Sequence, residues 1–214
     1  MKIKESYKRV RAEFLGRDPF LMKLFCKTFY RPKKDSLVEK LSTLNKSPFY
    51  FIQVGGNDGF ANDPIFRFVK KFGWKGIIVE PQKEVFKNRL AVTYRNEKNV
   101  NLENAAIAAE TGIKKLYKIA VSNSRWATGL ATFNYEVMLD RVKNNNRIKD
   151  RAAKEGVPYL EKDEDYITYE EVPCITLSDL MNKYKFPQLN LLQIDTEGFD
   201  YEVIKTIDFN NFKP

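Results

Sequence analysis

The sequence predicts an α/β protein with a doubly wound, mostly parallel sheet, and three observations support this prediction. Short β-prone runs alternate along the chain with segments whose apolar residues recur at helical spacing. The runs show no polar–apolar alternation, which is typical of strands buried on both faces. A glycine-containing loop follows the first run and leads into a helix. This strand–loop–helix order is that of a doubly wound sheet.

Composition restricts the class of protein. The 214 residues are 43% hydrophobic and 30% charged, the balance of a globular domain. No stretch approaches the roughly 18 apolar residues of a membrane-spanning helix, and the N-terminus shows no secretory signal. Two cysteines, Cys26 and Cys174, exclude a disulfide framework, so we expect a cytoplasmic protein. Because histidine is absent, proton transfer must use carboxylates, lysine, tyrosine or water.

Residues 1–48 form a basic segment before the alternating part. Residues 1–49 contain 13 Lys and Arg against 5 Asp and Glu, whereas residues 50–214 contain 24 against 23. Apolar residues recur at helical spacing from Phe20 to Phe29, and Ser36 with Glu39 fits a capping box. We expect a basic helical arm packed on the domain at residues 49–214. Its charge fits a solvated face, and also an approach to phosphates or an anionic membrane surface.

The first unit of the alternation starts at Phe49. Residues 49–54 form a predicted buried strand, and the glycine loop at residues 55–59 follows it directly. Asp63 fits the N-cap of a helix with Pro64 at its first position. Apolar residues continue at helical spacing to residue 72, and Gly73 supplies the stop.

The next units repeat the pattern. Residues 76–81 are a second predicted strand that ends in an acid, Glu80, and residues 82–94 fit a helix. A third strand is predicted over residues 101–108 and a fourth over residues 114–119. Residues 120–171 then interrupt the alternation, and about fifty residues are more than an ordinary loop needs. We therefore predict a lid or a substrate-binding insertion there.

The core is expected to resume at Pro173, before a helix capped by Thr176 together with Asp179. Another buried strand is predicted over residues 189–194 and a last helix over residues 199–207. The chain ends at Pro214 within the alternation. Because a doubly wound sheet normally carries more strands on this side, we expect the domain to lack its last strands.

The glycine loop and Glu80 suggest a ligand. Such sheets bind ligands at the carboxyl ends of their strands, where glycines allow the backbone to approach closely. Glu80 follows Gly55 by 25 residues, and a carboxylate there can accept hydrogen bonds from both ribose hydroxyls of an adenosine. Asn57 and Phe60 stand where a dinucleotide fingerprint has its second and last glycines. The loop therefore fits adenosine without a pyrophosphate better than a dinucleotide.

Several segments, in this order, resemble the FkbM-type methyltransferases, which are class I enzymes with a Rossmann-like fold that use S-adenosylmethionine. They are FIQVGGNDG at residues 51–59, VEP at 79–81, NAA at 104–106 and LLQIDTEG at 191–198. WATGLATF at residues 126–133 and VPCITL at residues 172–177 are similar to segments in one branch of that family. The resemblance covers roughly residues 49–214 and does not extend to the arm.

The resemblance implies a role for each segment. The glycine loop would pass under the methionine and ribose parts of the cofactor, Glu80 would hold the ribose hydroxyls, and Asp195 would lie near the transferring methyl group. Gln53 stands where the family often has an acid facing the cofactor's ammonium, so this contact would weaken or pass to Asp58. The cofactor-binding residues predicted in this way are Gln53, Gly55, Gly56, Asn57, Asp58, Gly59, Glu80, Pro81, Asn104, Ala105 and Asp195.

A hydroxyl acceptor also needs a base. In the absence of histidine, Asp195 is the first candidate, Glu197 the second and Asp58 the third. Asp195 and Glu197, with Asp200, could instead hold Mg²⁺, because hard oxygen ligands suit that ion. The same acids also fit the first turn of a helix, where the helix dipole favours negative charge.

The predicted function is a methyltransferase that uses S-adenosylmethionine to methylate a hydroxyl on a saccharide or small-molecule acceptor. Two alternatives stay open: an RNA ribose methyltransferase that uses the basic arm, and a non-catalytic interaction module that keeps the cofactor fold. The sequence predicts no oligomeric state. Other conspicuous residues fit packing better than ligand binding: Trp126 and Phe133 in the core or lid, and Cys174 as a small buried hydrophobe.

Overall fold

The computed structural model describes residues 48–61 and 63–208. Its strands, in chain order, are β1 (Tyr50–Val54), β2 (Lys75–Val79), β3 (Val100–Glu103), β4 (Ala106–Ile107), β5 (Gly112–Ile119), β6 (Ile167–Ile175) and β7 (Leu191–Ile194). The larger sheet is fully parallel and has the order β3-β2-β1-β7. The smaller sheet has the order β4-β6-β5, with β5 and β6 antiparallel.

The helices connect the strands, and four of them cover the larger sheet. Six of the helices are continuous: α1 (Phe66–Phe72), α3 (Arg125–Thr128), α4 (Tyr135–Asn144), α5 (Asn146–Lys154), α6 (Leu177–Lys183) and α7 (Asp200–Lys205). Helix α2 consists of three consecutive pieces, which are Lys83–Val85, a π-helical turn at Phe86–Leu90, and Ala91–Tyr94. A 3-10 turn, Asp163–Tyr166, precedes β6.

Both faces of the larger sheet are buried, which explains why its central strands are apolar at nearly every position, Gln53 being the buried exception. On one face Phe51 and Ile78 pack with side chains of α1 and α2. On the opposite face Ile52, Val54 and Ile77 pack with side chains of α6 and α7. A strand whose successive side chains both enter a core has a near-continuous run of apolar residues. The predicted doubly wound fold class is confirmed.

Residues 120–166 lie between the two long strands of the smaller sheet, and we call this segment the insertion. Side chains of the insertion form a third apolar cluster together with Ile119 of β5. The residues of this cluster that are fully buried include Met138, Val142 and Tyr166. The insertion is therefore a packed helical unit mounted on the β5–β6 hairpin.

Some predicted boundaries are wrong. The single strand over residues 101–108 is two strands in different sheets, because the chain turns at Asn104, whose Nδ2 donates to the backbone carbonyls of Glu80 (2.8 Å) and Pro81 (3.1 Å). The core resumes at Ile167, where β6 begins, and not at Pro173, which lies within β6. This happens because the polar residues at the start of β6 pair with β5 across the hairpin.

Helix α1 begins at Phe66 rather than Pro64, although Asp63 still caps it. The Asp63 Oδ1 accepts hydrogen bonds from the backbone N–H groups of Ile65 (2.8 Å) and Phe66 (2.7 Å). Gly73 ends the helix as predicted, with φ of 67°. The Thr176 side chain accepts from the Asp179 N–H at 3.0 Å, which confirms the capping of α6.

Strand β7 is shorter and less buried than predicted. It begins at Leu191, and its four residues are partly exposed because, among the described residues, β7 is the outer strand of the sheet. The helical arm predicted over residues 1–48 lies, apart from Pro48, outside the described residues. Within the described part of the chain, none of the helices is long and apolar enough to cross a membrane.

Candidate active site

A cavity of about 300 Å³ lies at the carboxyl ends of the parallel strands. One side is formed by the segments that follow β1, β2, β3 and β7. The other side comes from the insertion, through Arg125, Thr128, Gly129, Ala131 and Phe133. The predicted site residues that line the cavity are Gly55, Asn57, Glu80, Pro81, Ala105, Asp195 and Glu197. Gln53, Gly56, Asp58, Gly59 and Asn104 do not line it.

The glycine loop is held tightly against the strand ends. The N–H groups of Gly55 and Gly56 both donate to the Val79 carbonyl at 3.0 Å. Gly55 has φ of +86°, and a Cβ on it would lie 1.9 Å from the Asp195 carbonyl oxygen. A Cβ on Gly56 would lie 2.4 Å from the Ile78 Cγ2. The first two glycines are thus required by close packing, and their N–H groups are already bonded within the protein.

Glu80 is the most buried carboxylate of the site, with only 3% of its surface exposed. Its Oε2 accepts from the Asn57 N–H at 2.8 Å, and its Oε1 accepts from the Gln82 N–H at 2.9 Å and from the Gln82 Nε2 at 3.2 Å. Burial raises the pKa of Glu80 to about 7, against the lowering effect of these hydrogen bonds. The carboxyl therefore changes charge near neutral pH.

Gln53 points away from the cavity, towards a second acid, Asp63, which is partly buried. Its Nε2 donates to the Asp63 Oδ2 at 2.7 Å, and its Oε1 is buried without a hydrogen-bond partner. Burial also raises the pKa of Asp63, partly offset by the bond from Gln53. Asn57 resembles Gln53 in one respect, since its Oδ1 is buried and unpartnered. Unlike Gln53, Asn57 lines the cavity.

Asp58 is engaged by the insertion. Its Oδ2 accepts from the Arg125 Nε at 2.8 Å, and its Oδ1 accepts from the N–H groups of Phe60 and Ala61 at 3.0 Å. The Arg125 Nη2 also donates to the Ala61 carbonyl. With both oxygens bonded, Asp58 is the least suited of the three candidate bases.

The segment after β7 carries the other two candidate bases. The Asp195 side chain is exposed at the cavity and has no hydrogen-bond or ion-pair partner among the described residues. Glu197 pairs with Arg141, whose Nη2 lies 3.2 Å from the Glu197 Oε2 and 3.1 Å from its carbonyl oxygen. Burial raises the pKa of Glu197, while Arg141 lowers it. Asp195 is thus the acid with a free carboxylate.

The Mg²⁺ interpretation finds no support in the described part of the chain. Asp200 Oδ1 accepts from the Thr196 N–H at 2.8 Å and from its Oγ1 at 2.9 Å, so it caps the turn rather than facing Asp195 and Glu197 as a ligand. Within residues 48–61 and 63–208, no three Asp, Glu, His or Cys side chains converge as a metal site.

Several residues around the cavity were not predicted from the sequence. The Gln82 Nε2 donates to the Thr128 carbonyl at 2.9 Å as well as to Glu80, so it links the site to the insertion. Its only sequence signal is its position, two residues after Glu80. No local pattern predicts that Arg125 reaches Asp58, 67 residues earlier in the chain.

The conspicuous aromatic and sulfur side chains divide between packing and the cavity. Trp126 packs in the insertion and donates to the Glu155 Oε1 at 2.8 Å, as expected for a packing residue. Cys174 is buried with 3% exposure, as expected for a small hydrophobe. Phe133 does both: it packs against the apolar cluster that contains Leu116 and Val172, and it lines the cavity together with Phe199.

The comparison with known families gives one match. Residues 53–214 match the methyltransferase FkbM domain. No curated protein and no solved structure matches the chain. The matched range includes all the segments that line the cavity.

Proposed function

This chain belongs to the FkbM methyltransferase family, and from that premise we propose that it transfers the methyl group of S-adenosylmethionine to a hydroxyl of a saccharide or another small molecule. The family establishes a methyltransferase in general; the cofactor, the acceptor and the cytoplasmic location suggested by the two cysteines are parts of the proposal.

The observation that carries the proposal is the Glu80 carboxylate. It directly follows β2, lines the cavity and is fixed by three hydrogen bonds from Asn57 and Gln82. Its Oε1 already accepts two of these bonds and its Oε2 one, so Oε2 keeps a lone pair that can accept a ribose hydroxyl. Its elevated pKa is the cost of burying a carboxyl that lacks a cationic partner, and such perturbed groups concentrate at functional sites.

Other features of the cavity fit the same cofactor. Asn57 lines the cavity and carries a buried Oδ1 that lacks a hydrogen-bond partner. Pro81 and Ala105 supply apolar surface beside Glu80, suited to a flat base. The volume of about 300 Å³ is at the lower end of the usual range for small-molecule sites. In this assignment Glu80 would hold the ribose, and Pro81 and Ala105 would border the adenine.

The segment after β7 would perform the chemistry. S-adenosylmethionine, when bound, would supply a methyl group attached to a positively charged sulfur. When the methyl group is transferred, the sulfur becomes the neutral thioether of the leaving group. Asp195 would orient the acceptor hydroxyl and accept its proton as the new oxygen–carbon bond forms. Glu197 would stay fixed in its ion pair with Arg141, which leaves Asp195 as the acid free to accept the proton.

Calorimetric titration with S-adenosylhomocysteine tests the cofactor assignment. We expect saturable binding by the unmodified chain and none detectable by Glu80→Ala, because the ribose loses its hydrogen-bond acceptor. Glu103→Ala is the matched control: it removes the carboxylate at the end of the neighbouring strand β3, which pairs with Lys183 and does not line the cavity. Far-UV circular dichroism checks that each variant is folded.

Unchanged affinity in Glu80→Ala would contradict the assignment, and so would equal losses in both variants. Asp195→Asn tests the base separately. It should bind S-adenosylhomocysteine normally and lose about 100-fold in turnover once an acceptor is found, the usual size of a general-base effect.

A further inference from the structure

Two aromatic side chains line the part of the cavity beside β7. Phe133 comes from the insertion and Phe199 from the residue before α7. Their ring centroids are 5.0 Å apart with an interplanar angle of 61°, an edge-to-face arrangement. Both side chains are only partly buried. They therefore present apolar surface to the cavity.

The backbone that carries both rings is ordered by hydrogen bonds before any ligand enters. Immediately before Phe133, Thr132 exchanges two backbone hydrogen bonds with Tyr117, at 2.8 and 2.9 Å. Immediately after it, Asn134 caps α4 by accepting from the Val137 N–H at 3.1 Å. The Phe199 carbonyl accepts from the Val203 N–H at 3.1 Å within the first turn of α7. A surface that is already ordered loses little conformational entropy on binding.

The position of the rings separates them from the proposed ribose contact. In the larger sheet β1 lies between β2 and β7. Neighbouring strands are about 4.8 Å apart, so the end of β7 lies about 10 Å from the end of β2, where Glu80 is found. Phe199 follows β7 by five residues and shares that segment with Asp195. The two rings thus lie on the side of the cavity where the acceptor hydroxyl would meet its base.

The charges at this end disfavour an anionic acceptor. Glu197 is paired with Arg141, and Asp200 caps its own turn, but Asp195 has no partner among the described residues. Two other cations lie near: Lys114, which is exposed and lies 5.9 Å from the centroid of the Phe199 ring, and Arg125, which lines the cavity and pairs with Asp58. Arg125 and Arg141 are each paired with a carboxylate, whereas the Asp195 carboxylate has no paired cation among the described residues. A phosphate or carboxylate on the acceptor would add repulsion from Asp195.

We propose that Phe133 and Phe199 form the acceptor platform, on which the apolar face of an uncharged sugar ring packs with one hydroxyl directed at Asp195. This inference rests on the proposed function and narrows its acceptor to neutral saccharides. The axial C–H groups of a pyranose supply a flat apolar face, and the two rings supply the complementary surface.

Saturation-transfer NMR titrations on the full chain, saturated with S-adenosylhomocysteine, test the platform. The neutral probes are the methyl glycosides of glucose, galactose and mannose, and the anionic probes are glucuronate and glucose 6-phosphate. We expect saturable contact with at least one neutral probe and weaker contact with both anions. Phe133→Ala and Phe199→Ala should each lower the affinity for the neutral probe about ten-fold, because each variant loses one aromatic contact.

Tyr169→Ala is the control, since it removes an aromatic ring that is 49% exposed and does not line the cavity. It should leave the sugar titration unchanged. Phe133→Leu and Phe199→Leu keep apolar volume and replace any alanine variant that fails to fold. Calorimetry on every variant should give the unmodified affinity for S-adenosylhomocysteine.

Four results would overturn the inference. The first two are that no neutral probe contacts a protein that binds S-adenosylhomocysteine, or that an anionic probe binds more tightly than the neutral ones. The other two are that both phenylalanine variants keep full contact with the sugar, or that they lose S-adenosylhomocysteine binding. The last result would assign the rings to the cofactor. If the unmodified chain did not bind S-adenosylhomocysteine at all, the proposed function itself would fail and the platform with it.

Discussion

At the scale of single residues, the Glu80 carboxyl combines deep burial with hydrogen bonds that favour its charged form. Asn57 and Gln82 stabilise the carboxylate, yet desolvation dominates and its pKa rises to about 7. A residue chosen for stability alone would be apolar or paired with a cation. The unfavourable burial is understandable if the carboxylate serves a ligand.

This burial predicts how stability depends on pH. In the unfolded chain Glu80 ionises near 4.5, whereas in the folded chain it stays protonated up to about 7. Between these values the folded state binds the extra proton, so the free energy of unfolding should fall as pH rises, by about 3 kcal/mol in total from this group.

Urea unfolding at pH 5 and pH 8 measures the effect. Asp63 and Glu197 also have raised pKa values and add declines of the same sign, so the comparison is with Glu80→Gln. That variant should start less stable at pH 5, because an amide cannot accept all three hydrogen bonds, and should lose less stability by pH 8. Equal declines in the two proteins would show that Glu80 does not titrate in this range.

Gly55 is the second residue whose environment permits a sharp prediction. Gly55→Ala should cost about 3 kcal/mol or more, because the new Cβ would overlap the Asp195 carbonyl and the residue would keep a positive φ. Gly112→Ala is the control, since its Cβ would meet nothing within 4 Å. Thermal melts of both variants check the difference, and a Gly55→Ala protein as stable as Gly112→Ala would refute the packing argument.

At the scale of elements, helix α3 depends on contacts with the core. It has four residues, too few to be stable alone. Polar contacts connect it and its neighbours to the core: Arg125 with Asp58, Gln82 with the Thr128 carbonyl, and Arg89 with the Thr128 Oγ1. These contacts close one wall of the cavity.

Removing one of these contacts should loosen that wall. Arg125→Ala should make the chain around α3 more accessible, with faster chymotrypsin cleavage after Trp126 or Leu130. Lys149→Ala, which removes an ion pair with Asp163 elsewhere in the insertion, is the matched control and should not change cleavage at these sites. Identical digestion of the two variants would mean that Arg125 does not hold α3.

The elements also show what local sequence can and cannot predict. Strands β1 and β2 and the stop at Gly73 follow from apolar runs and turn chemistry, and Glu80 is found because an acid ends a buried strand. The division of residues 101–108 into β3 and β4 depends on hydrogen bonds from Asn104 to a different loop. The pairing of β5 with β6 joins residues separated by the whole insertion. Such long-range contacts leave no periodic signal in the sequence.

At the scale of the whole molecule, the cavity lies between two parts of the chain that are distant in sequence. The parallel sheet contributes Glu80 and Asp195, while the insertion contributes Arg125 and Phe133. Each part has its own apolar clusters. A ligand in the cavity would therefore contact both parts at once and should stabilise the contacts between them.

Hydrogen exchange of the full chain, with and without saturating S-adenosylhomocysteine, tests this central claim most directly. Binding in the cavity predicts slower exchange in the glycine loop at residues 55–59, at residues 80–82 and in the insertion at residues 125–133, with the outer face of the β5–β6 hairpin unchanged. Protection confined to other surfaces, or no protection at a concentration that saturates calorimetric binding, would show that the cofactor does not occupy this cavity.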